Sequence, residues 1–162
     1  MKIFLFTLFI VTSLYSNILQ VAIDNAPSGS TLKLPDGIYR GNIIINKPLT
    51  IIGKQKNAVI DGNGYKDVIT ITSSNVILKN LTIINSGDKM YELNSAIFIN
   101  KSRNSEISNC KILNSLYGIN MLMVEDSIIS NNYISSKKKR DKPKRGCFKK
   151  YTTPTIILYK TI

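Results

Sequence analysis

Between Val68 and Ser136 apolar and polar positions alternate in short bursts. Ile69 and Ile71, Val76 and Leu78, and Leu81 and Ile83 each skip one residue, and Asn, Ser or Gly stands at the joints. A two-residue period predicts strands, here three to five residues each. The bursts themselves recur. Ile97 and Ile119, Ile99 and Met121, Ile107 and Ile129, Asn109 and Asn131, and Ile112 and Ile134 all lie 22 residues apart, which aligns Ala96 to Ser115 with Gly118 to Ser136. An earlier copy, Val68 to Ser86, reads VITITSSNVILKNLTIINS. Its Asn80 lies further before Asn109 than that spacing, and the surplus falls in Ser86 to Asn94, SGDKMYELN, which reads as a loop. A looser copy runs from Asn42 to Gly53, with Leu49, Ile51 and Gly53 on the line of Val76, Leu78 and Asn80.

A three-strand unit of this length cannot bury its own apolar face, but it can when stacked on copies of itself. The pattern therefore predicts an all-β fold: a parallel β-helix of about four coils within residues 17–136, right-handed by the general rule for parallel crossovers. Equivalent isoleucines form rows along its core, and Asn80, Asn109 and Asn131 stack at one corner. Asn tolerates the left-handed backbone of a sharp turn, and its amide is expected to bond along the stack. Upstream, Leu19, Ala22, Ile23 and Ala26 recur at helical spacing, and Pro27-Ser28-Gly29 ends the run. A capping helix over the open edge of the first coil is expected there. Thr31 to Leu34 reads as a strand, Pro35-Asp36-Gly37 as a turn, and Ile38 to Gly41 as the way out of it.

The first sixteen residues have another pattern. Met1 and Lys2 precede the apolar run Ile3 to Tyr15, and small Ser16 follows. That is the layout of a secretory signal cleaved before Asn17. An uncleaved anchor is the alternative, although the run is short against the ~20 apolar residues of a span. In a two-membrane bacterium the signal predicts a periplasmic protein.

Composition narrows the chemistry. The chain has 162 residues with no His or Trp and two cysteines, Cys110 and Cys147, so it is not a disulfide-stapled scaffold. Its net charge is +12, of which Lys137 to Lys150 carries +8. This like-charge block reads as a solvated or disordered segment, part of a basic, aberrant tail over residues 137–162. Aromatic residues do not alternate with the basic ones, so nucleic acid is not expected as a partner.

From Leu19 to about Arg145 the chain resembles the NosD family of periplasmic proteins. The segments that carry the likeness are LQVAIDNAPSGSTLKLPDGIYRGNIIINKPLTIIG, VIDGNG, NVILKNLTIINSGD, ISNCKILNSLYGINM and ISNNYISS. The resemblance implies a right-handed β-helix of the carbohydrate-binding and sugar-hydrolase type. It also implies an accessory role in assembling the copper-sulfur centre of nitrous-oxide reductase, with an ABC-type transporter complex and a copper chaperone as partners. Family members continue with further coils, whereas CFKKYTTPTIILYKTI after Gly146 loses the ladder. An early end of the reading frame near Gly146 is expected, the alternative being a short relative with its own C-terminal cap.

Copper is implied only by that likeness. Without His, the soft donors for Cu(I) are Met90, Met121, Met123 and Cys110. Met121 and Met123 form an M-x-M on one face of a strand, but Met121 also fills the row of Ile99, where core packing is the simpler role. Met90 lies in the inserted loop and is expected to be exposed. Cys110 shares a slot with Leu81 and Asn132 and reads as a buried thiol. A polysaccharide-binding or polysaccharide-cleaving protein is the rival function. Cleavage needs converging carboxylates. Only Glu125-Asp126 are adjacent acids, neighbouring strand positions face opposite ways, and the slots one coil earlier are Arg103 and Asn104. No catalytic residue is assigned, and the chain is not expected to be an enzyme.

Overall fold

A computed structural model describes residues 17–137. The segment read as a signal and the tail beyond residue 137 lie outside the described residues. Fourteen strands follow the helix α1 (Ile18–Asn25), and they wind in threes. The first coil holds β1 (Thr31–Leu34), β2 (Gly37–Arg40) and β3 (Ile43–Ile45). The second holds β4 (Leu49–Gly53), β5 (Ala58–Asp61) and β6 (Ile69–Ile71), and the third β7 (Val76–Lys79), β8 (Leu81–Ile84) and β9 (Ser95–Arg103). The fourth holds β10 (Glu106–Ser108), β11 (Lys111–Ser115) and β12 (Tyr117–Glu125), and β13 (Ile128–Ser130) and β14 (Tyr133–Ser136) begin a fifth. Strands in the same place in successive coils pair in parallel, which makes three sheets: β1-β4-β7-β10-β13, β2-β5-β8-β11-β14 and β3-β6-β9-β12.

Every coil is stapled to the next at fixed register. Along the first sheet Thr31 pairs with Thr50, Leu49 with Val76, Ile77 with Glu106 and Glu106 with Ile128. The step along the chain is shortest at the first of these pairings, longest at the third and intermediate at the last. That last step, between the fourth coil and the fifth, is the period visible in the sequence. The longer ones come from insertions at a corner, which leave the register intact.

The pairing turns the alternating isoleucines into buried rows. Ile43, Ile69 and Ile97 form one, Ile45, Ile71 and Ile99 a second, and Ile51, Leu78 and Ile107 a third, all at most 1% exposed. Two rows turn polar toward the last coils. Leu49 and Val76 are followed by Ser105 and Ser127; Ala58 and Leu81 are followed by Cys110 and Asn132. The buried serines satisfy one another and the backbone: Ser102 and Ser105 hydroxyls lie 2.7 Å apart, and Ser105 N donates to Ser127 Oγ at 3.1 Å. Asn132 accepts from Cys110 N at 2.8 Å and donates to Ile107 O at 2.8 Å, so its side chain pairs with the coil below as a peptide group would.

Asn80, Asn109 and Asn131 do occupy equivalent corners, each with φ near +55°. Their backbones carry the stack, Asn80 N donating to Ser108 O and Asn109 N to Ser130 O. The amide-to-amide ladder stands one corner further on instead. There Asn114 Nδ2 donates to Asn85 Oδ1 at 2.6 Å, and Asn85 Nδ2 to Asp61 Oδ1 at 2.8 Å. That corner turns on the left-handed Asn85 and Asn114. Both offer an amide at the same height, and Asp61 closes the ladder with a carboxylate.

The N-terminal end is closed as the sequence predicts. Asn17 caps α1 by accepting from Gln20 N at 3.3 Å, and Leu19 and Ile23 bury against the first coil. Gln20 then imitates a strand. Its Oε1 accepts from Ile44 N at 2.7 Å and its Nε2 donates to Ile44 O at 3.1 Å, pairing the open edge of β3. Asn17 Nδ2 donates to Asn42 O at 2.8 Å. Gly41 at φ +106° allows this approach, since a Cβ there would lie 2.8 Å from Asn17 Nδ2.

Two substitutions test this hierarchy by denaturant unfolding. Ile71→Ala, at a fully buried row position, should cost about 2–5 kcal/mol. Gln20→Ala, at an edge that water can reach, should cost about 1 kcal/mol.

Candidate functional site

The turn 54–57 of the second coil adds a smaller surplus between the first and second sheets, but most of the surplus residues of the second and third coils enter at the next corner, between the second and third sheets. In the first coil residues 41–42 bridge that corner, and in the fourth Leu116 alone; in between stand the turn 62–68 and the loop 85–94. Because the two insertions belong to adjacent coils, they stack. Gly64 N donates to Asn85 O at 2.9 Å and Gly87 N to Lys66 O at 2.7 Å. The contact is too close for a side chain at 87, where a Cβ would come within 2.7 Å of Lys66 N.

The loop is held from inside. Asp67 accepts from Ser95 N at 2.6 Å, which fixes the point where the loop re-enters β9. Asn94 accepts from Lys89 N at 3.1 Å, and Glu92 receives Lys89 Nζ at 2.9 Å and Asn94 Nδ2 at 3.2 Å. A single 3-10 turn at Met90–Glu92 ends on Leu93 with φ +53°. These bonds set the charges. Burial holds the half-buried Asp67 carboxyl above its usual range, although Ser95 pulls the other way. The Lys89 hydrogen bond holds Glu92 below its usual range.

The framework carries exposed aromatic and apolar side chains outward: Tyr65, Met90, Tyr91 at 80% exposure, and Leu93. Lys66 Nζ sits 5.3 Å from the Tyr65 ring centroid, and Lys89 Nζ 5.8 Å from that of Tyr91. Tyr117 of the fourth coil starts beside them, its N donating to Asn94 O at 3.2 Å. The corner is a stiff, tyrosine-bearing knob, a side-chain type that dominates protein interfaces.

The residues singled out as soft donors do not converge. Met90 is on the knob, 68% exposed. Met121 follows Ile99 in its row and packs partly buried against the core. Met123 is 69% exposed and has φ +53°, like its equivalent Lys101 in the coil below. That left-handed residue interrupts the alternation of β12, so the M-x-M does not share one face as a regular strand would impose. Cys110 is buried, its thiol pushed up to about 11 by burial, and donates to Ser108 O at 3.4 Å. The acids are dispersed in structural roles. Glu106 pairs with Lys79 at 2.9 Å, Glu125 with Arg103 at 2.8 Å, and Asp61 accepts from Asn63 N and Asn85. Among the described residues no group of three or more His, Cys, Asp or Glu gathers for a metal.

Sequence reading located the loop but missed its partner. In sequence Gly62 to Asp67 has no mark of a partner loop, and only the hydrogen bonds of Gly64 with Asn85 and of Gly87 with Lys66 show that the two segments form one structure. The available signal was the length surplus in both coils.

Asp67 makes this corner pH-dependent. Its folded pKa is raised, so its contribution to stability is full below the ordinary Asp range near ~4 and is lost as pH rises through the folded value. Glu92 and Glu106, both lowered, contribute above the ordinary Glu range and lose that as pH falls. Asp67→Asn keeps the acceptor for Ser95. In denaturant titrations from acid to neutral pH, the variant should gain on the parent as pH rises, while the Glu contributions cancel in the difference.

Comparison with known proteins agrees with this architecture. The family described as "right handed beta helix region" matches residues 37–158. A curated relative, the "probable ABC transporter binding protein NosD" of Pseudomonas aeruginosa PAO1, is 31% identical over 74 residues, which is 46% of this chain and 17% of the relative. The chain therefore matches under a fifth of that protein's length. With the coil topology and the match to most of its length, this chain is a member of the right-handed β-helix family.

Proposed function

We propose that this chain is an exported, periplasmic scaffold that works beside an ABC-type transporter in maturing the copper-sulfur centre of nitrous-oxide reductase. The observation that carries the reading is the likeness to a NosD protein named for binding an ABC transporter. The knob supports it, because a rigid element that presents Tyr65, Met90 and Tyr91 suits docking on another protein. The acids support a non-catalytic role, since Glu106, Glu125 and Asp61 are engaged in ion pairs and turns. Among the described residues no helix is long and apolar enough to cross a membrane. In this reading the transporter supplies the membrane part.

Copper enters as cargo. Among the described residues the soft donors do not gather into a metal centre: Met90 stands on the knob, Met121 packs against the core, Met123 lies near the far end of β12, and Cys110 is buried with its proton held. The metal is then carried by the copper chaperone, and this protein supplies the surface on which partners meet.

The test is capture of the detergent-solubilised transporter complex and the copper chaperone by the full chain, with and without Cu(I). Capture is expected in both conditions, and Tyr91→Ala should weaken it about 30-fold if the knob anchors the contact. Absence of capture would overturn this reading, and release of reducing sugar or unsaturated product from pectin or alginate would replace it with the polysaccharide one.

A further inference from the structure

The described residues carry twelve Lys and Arg against nine Asp and Glu, a net +3. That excess sits in one place. At the corner between the first and second sheets stand Lys33 of β1, Lys54 and Lys56 of the turn after β4, Lys79 at the end of β7 and Lys111 at the start of β11. Asp36 and Glu106 are the acids there, so the corner carries the whole +3 and the remaining charges balance. Lys33 and Lys79 share one outward row, each registered on Ile52. Lys33, Lys54, Lys56 and Lys111 are exposed, and among the described residues Lys79 is the one member of the five in an ion pair, with Glu106. Coils rise about 4.8 Å each, so the lysines form a ridge roughly 14 Å long, parallel to the solenoid axis.

We infer that this ridge is an electrostatic docking surface for the anionic headgroups of a phospholipid bilayer. A convex line of charge meets a flat surface along its length. All five cations are lysines, whose compact, strongly hydrated ammonium groups contribute a diffuse potential; a site built to pair with particular carboxylates favours arginine, and Arg40 and Arg103 lie at other corners. The tyrosine knob stands at a different corner, on the other side of the second sheet, so the ridge and the knob are separate surfaces. The inference rests on charge placement and does not require the transporter reading.

The experiment is partitioning of the full chain onto vesicles of phosphatidylcholine with about a third phosphatidylglycerol, and onto phosphatidylcholine alone. Lys54→Gln with Lys56→Asn removes two charges, and Asn suits the left-handed backbone at 56, where φ is +64°. This variant should bind anionic vesicles about 30-fold more weakly, with unchanged thermal unfolding. A second variant replaces the basic residues from Lys138 to Lys150 with Ser. The inference is overturned if only that second variant loses binding, or if neutral vesicles bind the parent equally well. It is overturned too if soluble poly-glutamate binds more tightly than vesicles do and depends on Lys54 and Lys56, since an acidic polypeptide is then the partner. Capture of the transporter in detergent involves no bilayer, so its failure is separable from failure here.

Discussion

Parallel pairing of each coil with the next is the interaction on which this molecule depends. No strand has a ladder partner within its own coil, and no coil can bury Ile69 or Ile71 without a neighbour above and below. The same stacking therefore satisfies the ladder hydrogen bonds and closes the core. It explains why the end of the solenoid needs a device of its own. At the first coil that device is a glutamine: Gln20 offers one donor and one acceptor to Ile44, the pair a neighbouring strand would have offered. Asn132 repeats the device inside, at a corner where the apolar row has given way.

Corners are where the fold has freedom. Strand length and register are constrained on both sides, whereas a corner can gain residues without disturbing any pairing. The two long steps, into the third coil and into the fourth, leave the rows of Ile43 and Ile45 intact because the surplus falls at corners and adds nothing within the paired strands. One corner has taken up insertions and become a knob of tyrosines. Another has collected lysines, two of them on the longer turn between β4 and β5. The solenoid carries these two surfaces at different corners.

Much of this was legible beforehand. The alternation of Ile69 with Ile71 and the regular recurrence of Ile97 at Ile119 reported strand, coil and core, because burial on one face leaves a period of two and stacking repeats it. The strand at Thr31–Leu34, the helix before it and the Asn corners followed from similarly local rules. The amide ladder was placed at the wrong corner. Asn80 and Asn85 look alike in sequence, and only the backbone path shows which amides reach one another. The M-x-M failed for a related reason: alternation assumes a regular strand, and Met123 at φ +53° departs from it.

The sequence by itself determined the repeat, the buried rows and the class of fold, since hydrophobic period and turn chemistry are local properties that stacking merely multiplies. Only the tertiary structure decided which loops meet, which acids are already paired and where the surplus lysines of the coils collect. Those depend on the unequal lengths of the coils, which bring Lys66 against Gly87 and gather lysines from four coils along one edge.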